Sequence, residues 1–436
     1  MRLSYFDEEG NAWTYNKSTD SYYLHYFSRK QPDLNWENPE VRQEIFDMMR
    51  FWFDKGIDGF RMDSISLIAK DPSFPLIDSK KYPDIFSFYA KEPRLHLYLH
   101  EMNRQVLSKY DCMSVGEGSA VMVDDVAKFV DPAREELNML YHFDAARIRN
   151  TTLPDNPESG IDYSLIALKK MFTEWDKAVD KGWPSIYLGN HDQPRMVSRF
   201  GSDKDEFRAL SAKMLITFLL TMRGTPYWFA GDEIGMRNIR FDRIEDYNDI
   251  DTINRYKKAK AEGKDPQAVL DEQKETGRDN ARTPFQWDRS PEAGFTAGTP
   301  WLKVNPDYTW INVADEEKDP TSILNYFKKV VSFRKENPSL IYGSYHLLDA
   351  ENPQSYTFLR KTGADTYLIM LNFSPKAAIS TPGIDMSNAH VLLDNYGDRS
   401  HMAPQKDITL RPFEAIVFQL NHPVYESFID SLDLLE

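Results

Sequence analysis

The chain has 436 residues, a formal net charge of -15 and a single cysteine, Cys112. This length favours either two domains or one large barrel with an accessory domain. The acidic balance disfavours nucleic acid and anionic lipid as partners, and no apolar run is long enough to span a membrane. One cysteine excludes an internal disulfide framework and a cysteine-based metal cluster. We therefore expect a globular protein that binds a neutral ligand and uses no cofactor or metal.

Residues 12–27, AWTYNKSTDSYYLHYF, predict a β-hairpin, because two aromatic-rich runs flank a polar turn. The residues before it lack the basic stretch and apolar run of a signal peptide. Together with the single cysteine, this predicts a cytoplasmic location.

The middle of the chain alternates helical patterns with short apolar runs that end in polar residues. The helical patterns cover residues 38–56, 94–110, 131–137, 162–182 and 204–224. The apolar runs cover residues 57–63, 111–118, 138–144, 183–192 and 225–236. Such alternation is typical of a parallel α/β sheet, whose ligands and catalytic groups gather at the carboxyl ends of the strands.

A long polar segment at 237–300 predicts a charged helix pair, and residues 321–340 predict a final amphipathic helix. From about residue 342 the pattern changes to alternating strands separated by turn residues. This change predicts a small antiparallel β domain at the C-terminus.

Carboxylates stand at the ends of successive predicted strands. Asp63 follows Arg61 by two residues, so both project to one side of an extended strand, and the guanidinium favours an ionised carboxylate. Glu117 follows a mostly apolar stretch of the predicted strand, and an apolar environment raises the pKa of a carboxyl group. Two such groups on neighbouring strands suit a retaining glycosidase, whose carboxyl groups are about 5 to 5.5 Å apart. Any one of these charged residues alone is better explained as a solvated residue at a strand end. Their occurrence at several successive strand ends is what indicates an active site.

Five segments together resemble the α-amylase superfamily, glycoside hydrolase family 13, and within it the α-glucosidase and oligo-1,6-glucosidase branch. These segments are GFRMD at 59–63, VGEG at 115–118, GNHDQPR at 189–195, QPDLNWENPEVR at 31–42 and DNARTPFQWD at 279–288. The resemblance runs from about Tyr22 into the C-terminal β domain. The joint occurrence in this order is far more specific than any one segment.

The resemblance implies roles for particular residues. Asp63 would be the nucleophile, Glu117 the general acid and base, and Asp192 the carboxylate that binds glucose hydroxyls and distorts the ring. Residues that would bind substrate or support it are Arg61, Ser64, Phe143, His191 and Arg282, with residues 31–36 supporting the pocket.

The resemblance also implies a (β/α)8 barrel of which this chain carries strands four to eight and lacks the first three βα units. The family's Asn-His segment, expected upstream of residue 31, has no counterpart here. We therefore expect residues 1–30 to be a remnant of the inserted domain, 31–341 a partial barrel and 342–436 a C-terminal β-sandwich. An open sheet has edge strands with unpaired backbone N–H and C=O groups, so we expect self-association and impaired or absent activity.

Four alternatives stay open within and beside this family. A sucrose isomerase would carry an Arg-Leu-Asp-Arg-Asp segment, and residues 144–185 contain none. Trehalose-6-phosphate hydrolase is a further close relative. A non-catalytic relative is disfavoured because all three carboxylates are present, and nothing resembles the ligand cage of a calcium-dependent amylase. Ser64, small and polar, leans toward α-1,4 or mixed linkage, since the resemblance associates Val with α-1,6 enzymes.

Overall fold

A computed structural model describes residues 11–76, 78, 81, 85–148, 164–363, 365–387, 389–399 and 406–420. The chain forms two compact units. Unit 1 comprises Met1–Phe143, Glu174–Ser185 and Ile253–Lys264, and unit 2 comprises Asp144–Thr173, Ile186–Thr252 and Asp265–Glu436.

The strands, in chain order, are β1 Trp13–Asn16, β2 Ser21–Leu24, β3 Gly59–Met62, β4 Met113–Gly118, β5 Met139–His142, β6 Ser185–Ile186, β7 Thr225–Pro226, β8 Ser344–Leu348, β9 Ser355–Thr362, β10 Asp365–Asn372, β11 Ala378–Ser380, β12 Ala389–Asp394, β13 Ile408–Leu410 and β14 Ala415–Leu420. The helices are α1 Pro39–Asp54, α2 Ile85–Tyr89, α3 Arg94–Gln105, α4 Ala127–Val130, α5 Asp144–Arg147, α6 Leu165–Ala178, α7 Met196–Phe200, α8 Arg208–Thr221, α9 Ile250–Ala261, α10 Pro266–Thr276, α11 Asp279–Arg282, α12 Val313–Glu316, α13 Ile323–Glu336 and α14 Ser339–Tyr342.

The predicted hairpin is confirmed in unit 1. Strands β1 and β2 pair antiparallel, with Trp13 opposite Leu24 and Tyr15 opposite Tyr22. One end of the hairpin packs into a small core, where Leu24 lies with Tyr26 and Leu67. The hairpin is thereby joined to the turn that follows β3.

The three parallel strands of unit 1 lie in the order β3-β4-β5. Glycine at position 59 allows β4 to pass very close to β3. A Cβ atom at Gly59 would lie 2.0 Å from the carbonyl oxygen of Met113. This close approach puts Arg61 opposite Val115 in the register, so the ends of β3 and β4 lie beside each other.

Helix α1 begins where the sequence predicts, because the Asn38 side chain accepts a hydrogen bond from the Glu40 N–H and Pro39 occupies the first turn. Gly56, just beyond its end, has φ 93°, a conformation that glycine adopts without strain. The helix predicted over 131–137 was wrong: only a 3-10 turn, Pro132–Arg134, forms there. Glu135 ends that turn in the left-handed region, with φ 52°, so the helix does not continue.

Strands β6 and β7 are only two residues long each, although the apolar runs predicted longer strands. Pro226 contributes to this brevity because proline has no N–H for a ladder. Helix α8 is buried along almost its whole length, as expected of an internal helix that is apolar on all sides.

The C-terminal antiparallel sheet of unit 2 has the strand order β12-β14-β10-β9-β8, and β11 pairs with β13 in a second small sheet. Side chains from β9, β10 and β14 form its core, including Leu359, Leu368 and Phe418. The predicted antiparallel β region is therefore confirmed. Among the described residues, no helix is long and apolar enough to cross a membrane.

Candidate active site

One candidate site lies in unit 1, at the carboxyl ends of β3 and β4. Arg61, near the end of β3, donates from Nη1 to Asp63 Oδ1 and from Nη2 to Glu117 Oε2. Its Nε and Nη2 lie 2.9 and 2.5 Å from the Tyr141 hydroxyl oxygen. Tyr141 in turn donates to Glu117 Oε2 at 3.1 Å. One guanidinium thus joins the two carboxyl groups that the sequence singled out.

The two carboxyl groups have different environments. The side chain of Glu117 is 9% exposed, whereas that of Asp63 is 69% exposed. Burial, followed by a hydrogen bond with Asp63, raises the pKa of Glu117 to about 7, although Arg61 opposes this shift. Glu117 can therefore hold a proton near neutral pH, while Asp63 lies in solvent beside a guanidinium.

Ser64 and Phe143 also lie near these strand ends. Ser64 directly follows Asp63 and adopts φ 44°, ψ 33°, in the left-handed region, so the chain turns sharply away from β3. Phe143 follows β5, is half-buried and has its ring centroid 5.8 Å from that of Tyr141. Both are therefore in the same unit as Asp63 and Glu117.

The segment at residues 31–36 is held to the turn after β3 by a half-buried lysine. Lys70 Nζ lies 2.6 Å from Asp33 Oδ2 and also donates to the Leu67 carbonyl oxygen. The ammonium lies 5.5 and 5.7 Å from the ring centroids of Tyr26 and Tyr89. The segment thus contacts the loop that begins at Asp63.

A second candidate site lies in unit 2, around Asp192. Oδ1 accepts from Arg282 Nη2 at 2.9 Å and from Arg278 Nη1 at 3.2 Å, while Oδ2 lies 3.1 Å from His191 Nε2. Arg282 Nε also donates to the His191 carbonyl oxygen at 2.8 Å. Asp192, His191 and Arg282, all predicted from the sequence, are therefore brought together here.

The sequence reasoning missed two members of this cluster, Arg278 and Asp249. Arg278 precedes the recognised segment at 279–288 by one residue and lies four residues from Arg282, a spacing that places two side chains on the same helix face. That spacing was a usable signal. For Asp249 the sequence offered no such signal, because this residue lies in the polar segment at 237–300, where no motif marks a functional residue.

Within the described parts of the chain, no group of three or more His, Cys, Asp or Glu residues could hold a metal ion.

The chain matches the alpha amylase catalytic domain family over residues 3–343. It belongs to that family.

Within the family, the chain is 48% identical over 424 residues to an oligo-1,6-glucosidase of Parageobacillus thermoglucosidasius, covering 95% of this chain and 74% of that protein. It is 38% identical over 421 residues to the trehalose-6-phosphate hydrolase of Bacillus subtilis, covering 95% and 73%. Among solved structures, it resembles an isomaltulose synthase from Klebsiella sp. LX3 with a TM-score of 0.89 and 37% identity, over 96% of this chain and 75% of that one.

Membership of the α-amylase family confirms the resemblance read from the five segments and the expected enzyme class, glycoside hydrolase. The fold is accordingly that of a TIM-barrel catalytic domain followed by a C-terminal antiparallel sheet. The roles of individual residues remain predictions.

Proposed function

We propose that this member of the α-amylase family is a retaining exo-acting α-glucosidase that hydrolyses α-1,4 or α-1,6 glucosidic bonds of short oligosaccharides. The observation that carries the proposal is the unequal pair of carboxyl groups around Arg61. A retaining glycosidase requires one carboxylate that stays ionised and one carboxylic acid that holds a proton. Solvent-exposed Asp63 and buried Glu117 meet these requirements, and the oligo-1,6-glucosidase relatives support the substrate class.

In the proposed reaction, an Asp63 oxygen attacks the anomeric carbon while Glu117 gives its proton to the departing glycosidic oxygen. The C–O bond to the leaving sugar breaks as the bond to Asp63 forms. Glu117, now ionised, then removes a proton from water, which attacks the anomeric carbon and releases Asp63. Two inversions leave the α configuration unchanged.

Asp192 is proposed to bind glucose hydroxyls, with His191 as a neighbouring donor. Arg282 and Arg278 hold the Asp192 carboxylate in one orientation through contacts at 2.9 and 3.2 Å. Arg61 keeps Asp63 ionised, and Phe143 and Ser64 contact the sugar from the ends of β5 and β3.

Hydrolysis of p-nitrophenyl α-glucoside, with proton NMR of the first glucose released, tests this function. We expect α-glucose as the first product, loss of activity in Asp63→Asn, and rescue of Glu117→Gln by azide, which attacks the glucosyl-enzyme without base catalysis. Glu136→Gln is the matched control, because Glu136 is also buried and paired with an arginine, Arg134, at 2.8 Å. β-Glucose as first product, or undiminished activity in Asp63→Asn, would refute the mechanism.

Substrate choice within the family is tested on isomaltose, maltose, sucrose and trehalose 6-phosphate. We expect hydrolysis of the first two. Conversion of sucrose to an isomer would favour the isomerase alternative, which the solved structures make relevant. Preferred hydrolysis of trehalose 6-phosphate would favour the trehalose-6-phosphate hydrolase alternative. Ser64→Val is expected to raise the ratio of isomaltose to maltose hydrolysis.

We also propose that β3 to β7 correspond to strands four to eight of the barrel. The five strands follow helical segments in the predicted order, and the matched relatives are longer than this chain. The expected impairment of activity stays a prediction, tested by comparing kcat/KM of this chain with that of the Parageobacillus thermoglucosidasius enzyme.

Self-association through exposed surfaces of unit 1 is proposed as well. Among the described residues, β3 is at the edge of its sheet, and α1 exposes Met48, Phe51 and Trp52. A sheet edge and exposed apolar side chains on a helix each favour contact with a second copy. Light scattering should show a concentration-dependent dimer that Trp52→Glu weakens and Ile379→Glu, at an exposed site on β11, does not. A monomer at all concentrations would refute the proposal.

A further inference from the structure

Asp249 is a buried carboxylate that contacts both arginines of the Asp192 cluster. The residue is 2% exposed. Its Oδ1 accepts from Arg278 Nη2 and lies 3.6 Å from Arg282 Nη1. The same guanidiniums converge on Asp192 Oδ1, so each arginine lies between two carboxylates.

Asp249 supplies one of the negative charges that face the two guanidiniums. Two guanidiniums face Asp192 and Asp249, and both arginine side chains are largely shielded from solvent, at 22% and 21% exposure. Partly buried like charges repel one another strongly because little water screens them. Removing the Asp249 charge would leave two cations converging on one oxygen of Asp192.

The main chain at Asp249 is itself held by the side chain of Asp279. The backbone N–H groups of Asn248 and Asp249 donate to Asp279 Oδ2 at 2.7 and 2.8 Å. This contact fixes the polypeptide at Asp249, so its carboxylate has little freedom to follow the arginines. The arginines instead must take positions that Asp249 permits.

We propose that Asp249 is a positioning residue: it fixes Arg278 and Arg282, and through them sets the orientation of the Asp192 carboxylate and of the main chain at His191. The inference rests on the proposed role of Asp192 in binding glucose hydroxyls. Asp249 acts through the arginines and not by touching the sugar, since it is buried behind them.

A simpler explanation for Asp249 is that it caps helix α9. Its Oδ2 accepts from the Thr252 N–H at 3.1 Å and lies 3.0 Å from the Thr252 hydroxyl oxygen, which is typical of an N-cap. The two roles use different carboxylate oxygens. They can therefore be separated by variants on the two sides of Asp249.

The experiment compares Asp249→Asn with Thr252→Val, both in the full chain. Asp249→Asn removes the charge that holds the arginines but keeps an oxygen for the helix cap, whereas Thr252→Val removes the hydroxyl contact and leaves both arginine contacts. We expect Asp249→Asn to raise KM for p-nitrophenyl α-glucoside at least fivefold with a smaller change in kcat. Thr252→Val should change KM less than twofold, even where it lowers Tm.

Amide hydrogen exchange over residues 190–193 gives a readout that does not depend on activity. We expect faster exchange there in Asp249→Asn and wild-type rates in Thr252→Val, because Arg282 contacts the His191 carbonyl oxygen. Equal effects of both variants, or no effect of Asp249→Asn on exchange, would overturn the proposal. If the wild-type chain does not hydrolyse the glucoside while the exchange rates differ as expected, the proposed function fails and the positioning role stands.

Discussion

Asp33 and Lys70 form a half-buried ion pair, with 2.6 Å between Oδ2 and Nζ. The pair joins the segment at residues 31–36 to the loop that follows Asp63. Burial lowers the pKa of Lys70 and raises that of Asp33, so each group depends on the other to remain charged.

Breaking this pair should be costly, whereas replacing both partners should cost less. We expect Lys70→Met and Asp33→Asn each to destabilise the protein by about 2 kcal/mol, since each leaves a half-buried charge without its partner. The double variant Asp33→Asn/Lys70→Met should lose less than the sum of the single changes. Urea unfolding of the four proteins measures the coupling, and simple additivity would contradict it.

The pH dependence of activity should reflect the proton on Glu117. Because its pKa is raised to about 7, kcat/KM should fall as pH rises through that value, where the general acid becomes ionised. The positive charge of Arg61 lowers this pKa, so Arg61→Met should move the basic limb to higher pH. The hydrogen bond from Tyr141 also lowers the pKa of Glu117, so Tyr141→Phe should move the basic limb to higher pH too, but by less. A shift to lower pH in either variant would contradict this electrostatic account.

Glu117 should reduce stability at neutral and alkaline pH. Its folded-state pKa of about 7 exceeds the ordinary value of 4.5, so the wild-type protein loses stability as pH rises from 4.5 to 7. Glu117→Gln is neutral throughout and should be more stable than wild type by about 3 kcal/mol at pH 8, at about 1.36 kcal/mol per pKa unit.

Unfolding free energies of wild type and Glu117→Gln at pH 4 and pH 8 test this difference. The gain should disappear at pH 4, where the wild-type carboxyl group is protonated in both the folded and unfolded states. A gain of the same size at both pH values would show that the ionisation of Glu117 is not its cause.

Two buried arginines in unit 2 satisfy the carbonyl groups at the end of α8. Arg360 donates to the carbonyl oxygens of Thr221 and Leu340, and Arg334 donates to those of Leu220, Met222 and Gly224. Arg360→Met should cost about 3 kcal/mol, because the carbonyl oxygens of Thr221 and Gly343 both lose this donor. Arg289→Met, at a position whose side chain is 67% exposed, should cost less than about 1 kcal/mol and serves as the control. Urea unfolding gives both values.

Much of this arrangement follows from local sequence patterns. The hairpin at 12–27, the helix that begins after Asn38 and the strands that end near Arg61 and Glu117 were predictable, since hydrophobic periodicity and capping residues act over a few positions. The failure at 131–137 has a local cause too, because Glu135 takes a left-handed conformation that composition does not reveal.

The sequence by itself determined the family, the alternation of helices and strands, and the carboxylates at the strand ends, because each depends on short motifs in a fixed order. Only the tertiary structure decided that Arg278 and Asp249 join the Asp192 cluster, and that Asp33 pairs with Lys70. The same holds for the unequal burial of Asp63 and Glu117. These relationships join residues distant in the chain, and the pKa of a carboxyl group depends on the solvent and charges around it after folding.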